Sequence, residues 1–276
     1  MSTLVPTVRL PRLDVTGRVA FHRVLLSEWT KLRTVRSTKW SLAAGFLLTI
    51  AFPVVFAAVT SSHWGSMSPH DRADRHPLDI ALAGVNVAQL AVAVLGVLVI
   101  SAEYSTGSIR STFIAVPRRL PVLWAKLVDY AVVSFVLVLP AVLVSFFASQ
   151  AILARHDILQ ISFSQAGVAR SVIGGALYVM LVGIFALGIG AIVRNTAGGI
   201  ATFAGIFFVL PPLMFTLPTS WNNAISQYLP SEAGRQIFAL HHAPHTLTPL
   251  TGGLVLAAYC AAALAIAAVL LVRRDV

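Results

Sequence analysis

His241, His242 and His245 form the densest cluster of potential metal ligands in the sequence, with His63, His70 and His76 upstream. Their spacing matches no defined zinc or copper site, and no acid or thiol adjoins the trio, so they read as loop residues facing water and no metal is assigned. Asn86 and Gln89 stand one turn apart inside an apolar run, where amides either hydrogen-bond a neighbouring helix or line a polar path for a substrate. A third candidate is the polar island Glu103-Tyr-Ser-Thr-Gly-Ser-Ile-Arg-Ser-Thr-Phe-Ile-Ala-Val-Pro-Arg-Arg119 between two long apolar stretches. Lys126 and Asp129 follow it, one turn apart and spaced to pair. No phosphate-binding Gly-x-x-x-x-Gly-Lys-Ser/Thr loop, His-Glu-x-x-His or Gly-x-Ser-x-Gly occurs, and no pair of carboxylates lies deep in an apolar run. These absences give the chain no recognisable ATPase or hydrolase chemistry of its own.

Membrane helices must position these groups. With 57% apolar and 11% charged residues, against about a quarter charged in ordinary soluble domains, the chain reads as an all-α polytopic membrane protein. Its formal charge of +10 lies in residues flanking apolar runs, which points to membrane orientation and away from nucleic acid. Cys260 is the single cysteine, sits in an apolar run and reads as a packing residue. A bilayer core of about 30 Å needs roughly 20 apolar residues per helix. Six spans meet that test, at about 40–60, 80–102, 123–153, 172–193, 196–217 and 250–272. Pro53, Pro140 and the Pro211-Pro212 pair predict kinks or broken ends. Residues 1–18 lack periodicity and read as a disordered tail, 19–39 as an amphipathic helix, and 40–276 as one membrane domain without internal repeats.

Within the amphipathic stretch, Phe21, Val24, Leu25, Leu32 and Val35 recur at helical spacing, while Arg23, Glu28, Lys31, Arg33 and Arg36 take much of the remaining surface. Trp29 beside basic residues suits a helix lying at the membrane interface. In the polar island, Gly107 breaks the preceding helix, Ser105, Thr106 or Ser108 is placed to cap a new one, and Pro117 stops it. On that short helix Ile109, Phe113 and Val116 make an apolar stripe, with Arg110 beside it and Arg118 and Arg119 beyond. By physics alone such a loop serves equally well as a signal of membrane topology.

The wording of two stretches adds a resemblance. Glu103 through Arg110 with Pro117-Arg118-Arg119, and Ser27-Glu-Trp-Thr-Lys-Leu-Arg-Thr-Val-Arg-Ser-Thr38, resemble the loop after the second membrane helix and the amphipathic lead-in of type-2 ABC exporter permeases. The resemblance implies a six-helix transmembrane subunit of a bacterial cell-membrane exporter that moves an apolar or amphiphilic substrate outward. It implies a separate ATP-binding subunit carrying ATP and magnesium, and a second permease subunit, identical or different; the chain itself would bind no cofactor and catalyse nothing. Glu103, Gly107, Ile109, Arg110, Phe113, Arg118 and Arg119 would then couple to the ATPase, with Phe21, Leu25, Trp29, Lys31 and Leu32 seating the interfacial helix. Asn86 and Gln89 would be the candidate substrate path.

Orientation follows from the basic residues. Of the 20 Lys and Arg residues, only Arg72, Arg75, Arg155, Arg170 and Arg235 fall on the side opposite Glu103, so both termini and the polar island are expected in the cytoplasm. Ser231 through Leu240, in the last external connection, has helix-start chemistry and an apolar face suited to dipping back into the membrane. An ion-coupled secondary transporter or channel, or a scaffold without substrate, remains the alternative. Coupled carriers usually keep an ionisable group deep in the bilayer, whereas Glu103, Lys126 and Asp129 lie near predicted span ends.

Overall fold

The computed structural model describes residues 20–274 except Asp74, Pro117, Asp157, Leu159, His242 and His245. The tail 1–18, the Pro117 stop and the ligand candidates His242 and His245 therefore lie outside the described residues. Every regular element among the described residues is helical. They are α1 (Phe21–Thr34), α2 (Arg36–His63), α3 (Pro69–Ala73), α4 (Pro77–Ser105), α5 (Ser108–Ala115) and α6 (Arg119–Ala154). Then follow α7 (Val168–Val193), α8 (Thr196–Ala204), α9 (Leu210–Met214), α10 (Thr219–Ile225), α11 (Pro230–Arg235) and α12 (Pro249–Arg273). Six helical segments among the described residues are long and apolar enough to cross a membrane: α2, α4, α6, α7, the α8–α9 rod and α12. The chain is an all-α polytopic membrane protein.

The bundle is organised around α7, which packs on α4, α6, α8 and α12. Its most apolar stretch is 72% buried, against 22% for the α2 span and 17% for α8–α9, so those two rods form the rim. Small residues bring α7 so close to its neighbours. A Cβ on Gly183 would collide with the Tyr130 ring, which passes over it from α6 so that its hydroxyl donates to the Val92 carbonyl of α4 at 2.6 Å. Van der Waals contact and such cross-helix hydrogen bonds are what drive association where lipid replaces water.

Helices α2 and α6 continue through Pro53 and Pro140, so of the kink or broken end expected at each proline the break does not occur. The Pro53 ring is accommodated against Gly84 of α4. Pro211 and Pro212 behave as expected of a double proline. Neither has an N–H, so the Phe207 and Phe208 carbonyls lose their α-helical partners, and the chain answers with a π turn at Gly205–Val209, closed by Leu210 N–H on the Gly205 carbonyl.

The joint between α4 and α5 depends on Gly107, whose φ of +73° is left-handed. No side chain caps α5, contrary to the expectation for Ser105, Thr106 or Ser108. Thr106 instead donates back to the Ala102 carbonyl at 2.8 Å, closing α4. Nothing lies within 4 Å of a Cβ placed on Gly107, so a substitution there is strained by backbone conformation alone. Gly107→Val should therefore cost about 1–2 kcal/mol and Gly107→Asn much less, measured as shifts in thermal unfolding of the detergent-solubilised protein. Equal shifts for both variants would contradict the left-handed turn.

Candidate functional site

At the basic end of the bundle, four charges close into a ring. Glu28 and Lys31, one turn apart on α1, present the same face to the bundle. Lys126 of α6 donates to Glu28 at 2.5 Å and to Glu103 of α4 at 2.7 Å. Lys31 donates to the same two carboxylates at 2.7 and 3.0 Å, and also to the Thr112 hydroxyl of α5 at 3.2 Å. The ring carries no net charge and ties α1, α4, α5 and α6 together. Glu28 and Lys126 are each 3% exposed, so each relies on the other for what water would supply.

Partial burial pulls the Lys31 pKa down, and Glu28 and then Glu103 more than offset it, leaving it above its usual 10.5. A raised lysine pKa contributes stability that is complete below 10.5 and lost as pH climbs through the raised value, so this part of the ring is intact at neutral pH.

The ring revises two expectations. Lys126 does not pair with Asp129; both its contacts go to Glu28 and Glu103, and the Asp129 Oδ2 is buried with no hydrogen-bond partner. Glu28 and Lys31 do not belong to the solvent face of α1 but point inward beside Val24. Leu25 and Leu32 are half-buried on that side. Leu26 and Trp29, exposed at 62% and 43%, form a separate outward apolar strip, with Phe21 exposed at the helix start. Arg23, Ser27, Thr30 and Thr34 fall on the third side. Helix α1 thus presents three sides, one turned to the bundle, one outward and apolar, and one outward and polar.

The apolar stripe of α5 also turns inward. Ile109 is 3% exposed, and Phe113 and Val116 pack against Val24, Val122 and Ala125 of α1 and α6. The row with the larger apolar area docks on its own bundle, because the gain from burial is roughly proportional to that area. The outward face is Arg110, Ser111, Ala115 and above all Ile114, 83% exposed, with Arg118 just beyond. Arg119 leaves that face as well. Its guanidinium stands 5.4 Å from the Phe113 ring centre and donates at 2.9 Å to the carbonyls of Leu271 and Arg274 at the end of α12. Arg194, in the left-handed turn after α7, donates to the Leu270 carbonyl at 3.0 Å and lies over the Tyr104 ring. Two arginines thus satisfy carbonyls at the C-terminus of α12, where the helix dipole favours positive charge.

Asn86 and Gln89 do not share a face. Asn86 is exposed on the outside of α4, whereas Gln89 is 2% exposed and accepts a hydrogen bond from the Tyr178 hydroxyl of α7. Gln89 thus links α4 to α7. Gln89→Leu should cost about 1–3 kcal/mol by stranding the buried Tyr178 hydroxyl, and adding Tyr178→Phe should recover most of it, read from thermal unfolding. Additive losses in the double variant would remove the hydrogen bond from the account.

On the opposite end, the His76 and His241 rings approach to 5.5 Å between centres, and His63 Nδ1 lies 3.0 Å from the Val59 carbonyl. Among the described residues no three His, Cys, Asp or Glu side chains gather as metal ligands. Helix α11 begins one residue earlier than the expected Ser231, with Pro230 in its first turn and the Ser231 hydroxyl buried without a partner. Its Gly234 rests on Tyr178 and Leu256, ten residues into α7 and so about 15 Å inside the helix end. Arg170 holds the exit by donating to the Ile237 and Ala239 carbonyls.

Sequence reasoning found Glu103, Gly107, Arg110 and Arg118 as groups at this surface but missed Glu28, Thr112, Ile114 and Arg194. Glu28 and Lys31 one turn apart, with Val24 one turn before, were the available signal of an inward charged face. Compared with models of known protein families and with curated proteins, the chain matches none.

Proposed function

We propose that the chain is the membrane-spanning subunit of an ATP-driven exporter in a bacterial cell membrane, with the basic end and both termini in the cytoplasm. A separate subunit supplies ATP binding and hydrolysis, and a second permease subunit, identical or different, completes the complex. One observation carries the reading. Helix α5 is locked to the bundle from within, by the charge ring through Thr112 and by Phe113 through Arg119, while its outer face, Ile114 with Arg110 and Arg118, is exposed and meets no partner among the described residues. A short helix held so firmly on one side is suited to receive a push on the other. Movement of an ATP-binding subunit against Ile114 would pass through the ring to α1, α4 and α6, and through Arg119 to α12. The work asked of the chain is mechanical, in keeping with a sequence that lacks a phosphate loop.

The test is co-purification with a candidate ATP-binding subunit and ATP-dependent uptake of a fluorescent amphiphile by inside-out vesicles. The expected result is uptake that needs ATP and the partner and survives a proton ionophore. Asp129 supports a second reading, since a buried carboxylate with an unpartnered oxygen is the kind of group that ion-coupled carriers use. Uptake that proceeds without the partner, stops with the ionophore and is lost in Asp129→Asn would establish the carrier and overturn the exporter.

A further inference from the structure

A cavity of about 540 Å³ lies at the end of the bundle opposite α5, between the broken α8–α9 rod and the half-helices α10 and α11. Its size falls within the range of small-molecule sites, roughly 300–1,000 Å³. The two walls differ in chemistry. One is made by Phe207, Phe208, Pro211, Pro212 and Phe215, starting at Phe207, about 16 Å along the rod from Thr196 and so near mid-bilayer. The outer side of this wall carries Val209, Leu213 and Phe215, exposed at 56%, 51% and 79%, a surface suited to lipid. The other wall is polar, with Asn222, Asn223, Gln227 and the Glu232–Arg235 ion pair at 3.2 Å.

The polar wall offers balanced charge and an unmet acceptor. Glu232 and Arg235 sum to zero, so a head of single charge gains on one group what it loses on the other. Asn222 Oδ1 is buried and has no hydrogen-bond partner, and a buried acceptor left unpaired is costly. The double proline adds to this, because the Phe207 and Phe208 carbonyls cannot use the N–H groups four residues on. A purely apolar molecule would leave the polar wall unsatisfied, and a polar solute would leave the aromatic wall wet.

We propose that this cavity binds a zwitterionic amphiphile whose head carries an N–H-bearing ammonium beside its anionic group. The ammonium donates to Asn222 Oδ1 and Glu232, the anionic group meets Arg235, and the first part of an apolar chain lies on Phe207, Phe208 and Phe215. The remainder of the chain passes over the rim at Phe215 into the lipid. This deepens the export reading, resting on it only for the direction in which the occupant travels; binding itself needs no ATPase.

The experiment uses the full chain in lipid nanodiscs and three photoreactive lysophospholipids with one acyl chain and different heads: ethanolamine, choline and glycerol. Labelling is mapped by peptide mass spectrometry. The ethanolamine compound should label residues 205–236 about tenfold more than the choline compound, which is zwitterionic but has no N–H to donate. The anionic glycerol compound should also label weakly. Asn222→Leu should reduce ethanolamine labelling to the choline level without changing the choline signal. Labelling that is equal for all heads, or spread along α2 and α12 as for lipid merely surrounding the protein, overturns the site. Preference for the glycerol head overturns the assigned chemistry. The head comparison on the unsubstituted protein stands even if Asn222→Leu does not fold. A failure here leaves ATP-dependent uptake untouched, and a failure of that uptake leaves the labelling pattern untouched.

Discussion

Lys126→Met should be among the most destabilising single substitutions in the chain, at about 3–5 kcal/mol, because it removes one partner of a buried ion pair and leaves the other. Glu28 and Glu103 would face each other with only the half-exposed Lys31 between them, and Glu28 would keep a carboxylate that is 3% exposed. The charge, not the packing, carries the effect, since Met matches the lysine stem closely in length. Lys126→Arg should also be harmful, because the larger planar guanidinium does not fit the 3% exposed site where a compact ammonium donates to two carboxylates on different helices. Adding Glu103→Gln to Lys126→Met should restore part of the loss by removing the surplus negative charge, which a double-mutant cycle in thermal unfolding would measure. A neutral Lys126→Met would mean that the ring contributes geometry and no net energy.

The parts of this molecule that could be read from sequence are those fixed by local rules. Six spans follow from apolar length, and the left-handed Gly107 and the disturbed turn before Pro211 follow from backbone chemistry. The parts that could not be read depend on which neighbour a face meets. Ile109, Phe113 and Val116 announce an apolar stripe on α5, but period alone does not say whether the stripe meets its own bundle or a partner. Asn86 and Gln89 sit three residues apart, about 60° around the helix, and α7 happens to cross α4 on the Gln89 side. Glu28 and Lys31 look like surface charges until α4 and α6 bring Glu103 and Lys126 to them from 72 and 98 residues away. Pro53 and Pro140 show the converse. A local rule forecast kinks or broken ends, and both helices run on through the proline.

The inward turn of that stripe separates two substitutions that sequence reasoning would treat alike. Phe113 packs on the cluster of Val24, Val122 and Ala125 and lies under the Arg119 guanidinium, all in this chain, so Phe113→Ala should lower thermal stability by about 2 kcal/mol, less than for a fully buried aromatic, and reduce transport by loosening α5. Among the described residues Ile114 joins no apolar cluster, and it is 83% exposed, so Ile114→Asp should leave stability unchanged. If α5 receives an ATP-binding subunit, Ile114 is its apolar anchor, and a carboxylate there should weaken association by about 2 kcal/mol, roughly thirtyfold. Arg110 and Arg118 lie at the rim, where a lost charge slows association and adds salt dependence but removes less affinity. The measurements are thermal unfolding of each variant alone, followed by partner binding and ATP-driven uptake at matched expression. The expected pattern is stability lost in Phe113→Ala, binding lost in Ile114→Asp, and little of either in Arg118→Ala. Normal partner binding in Ile114→Asp would take the outer face of α5 out of the contact, and the ring beneath it would then hold the bundle together without passing on a stroke.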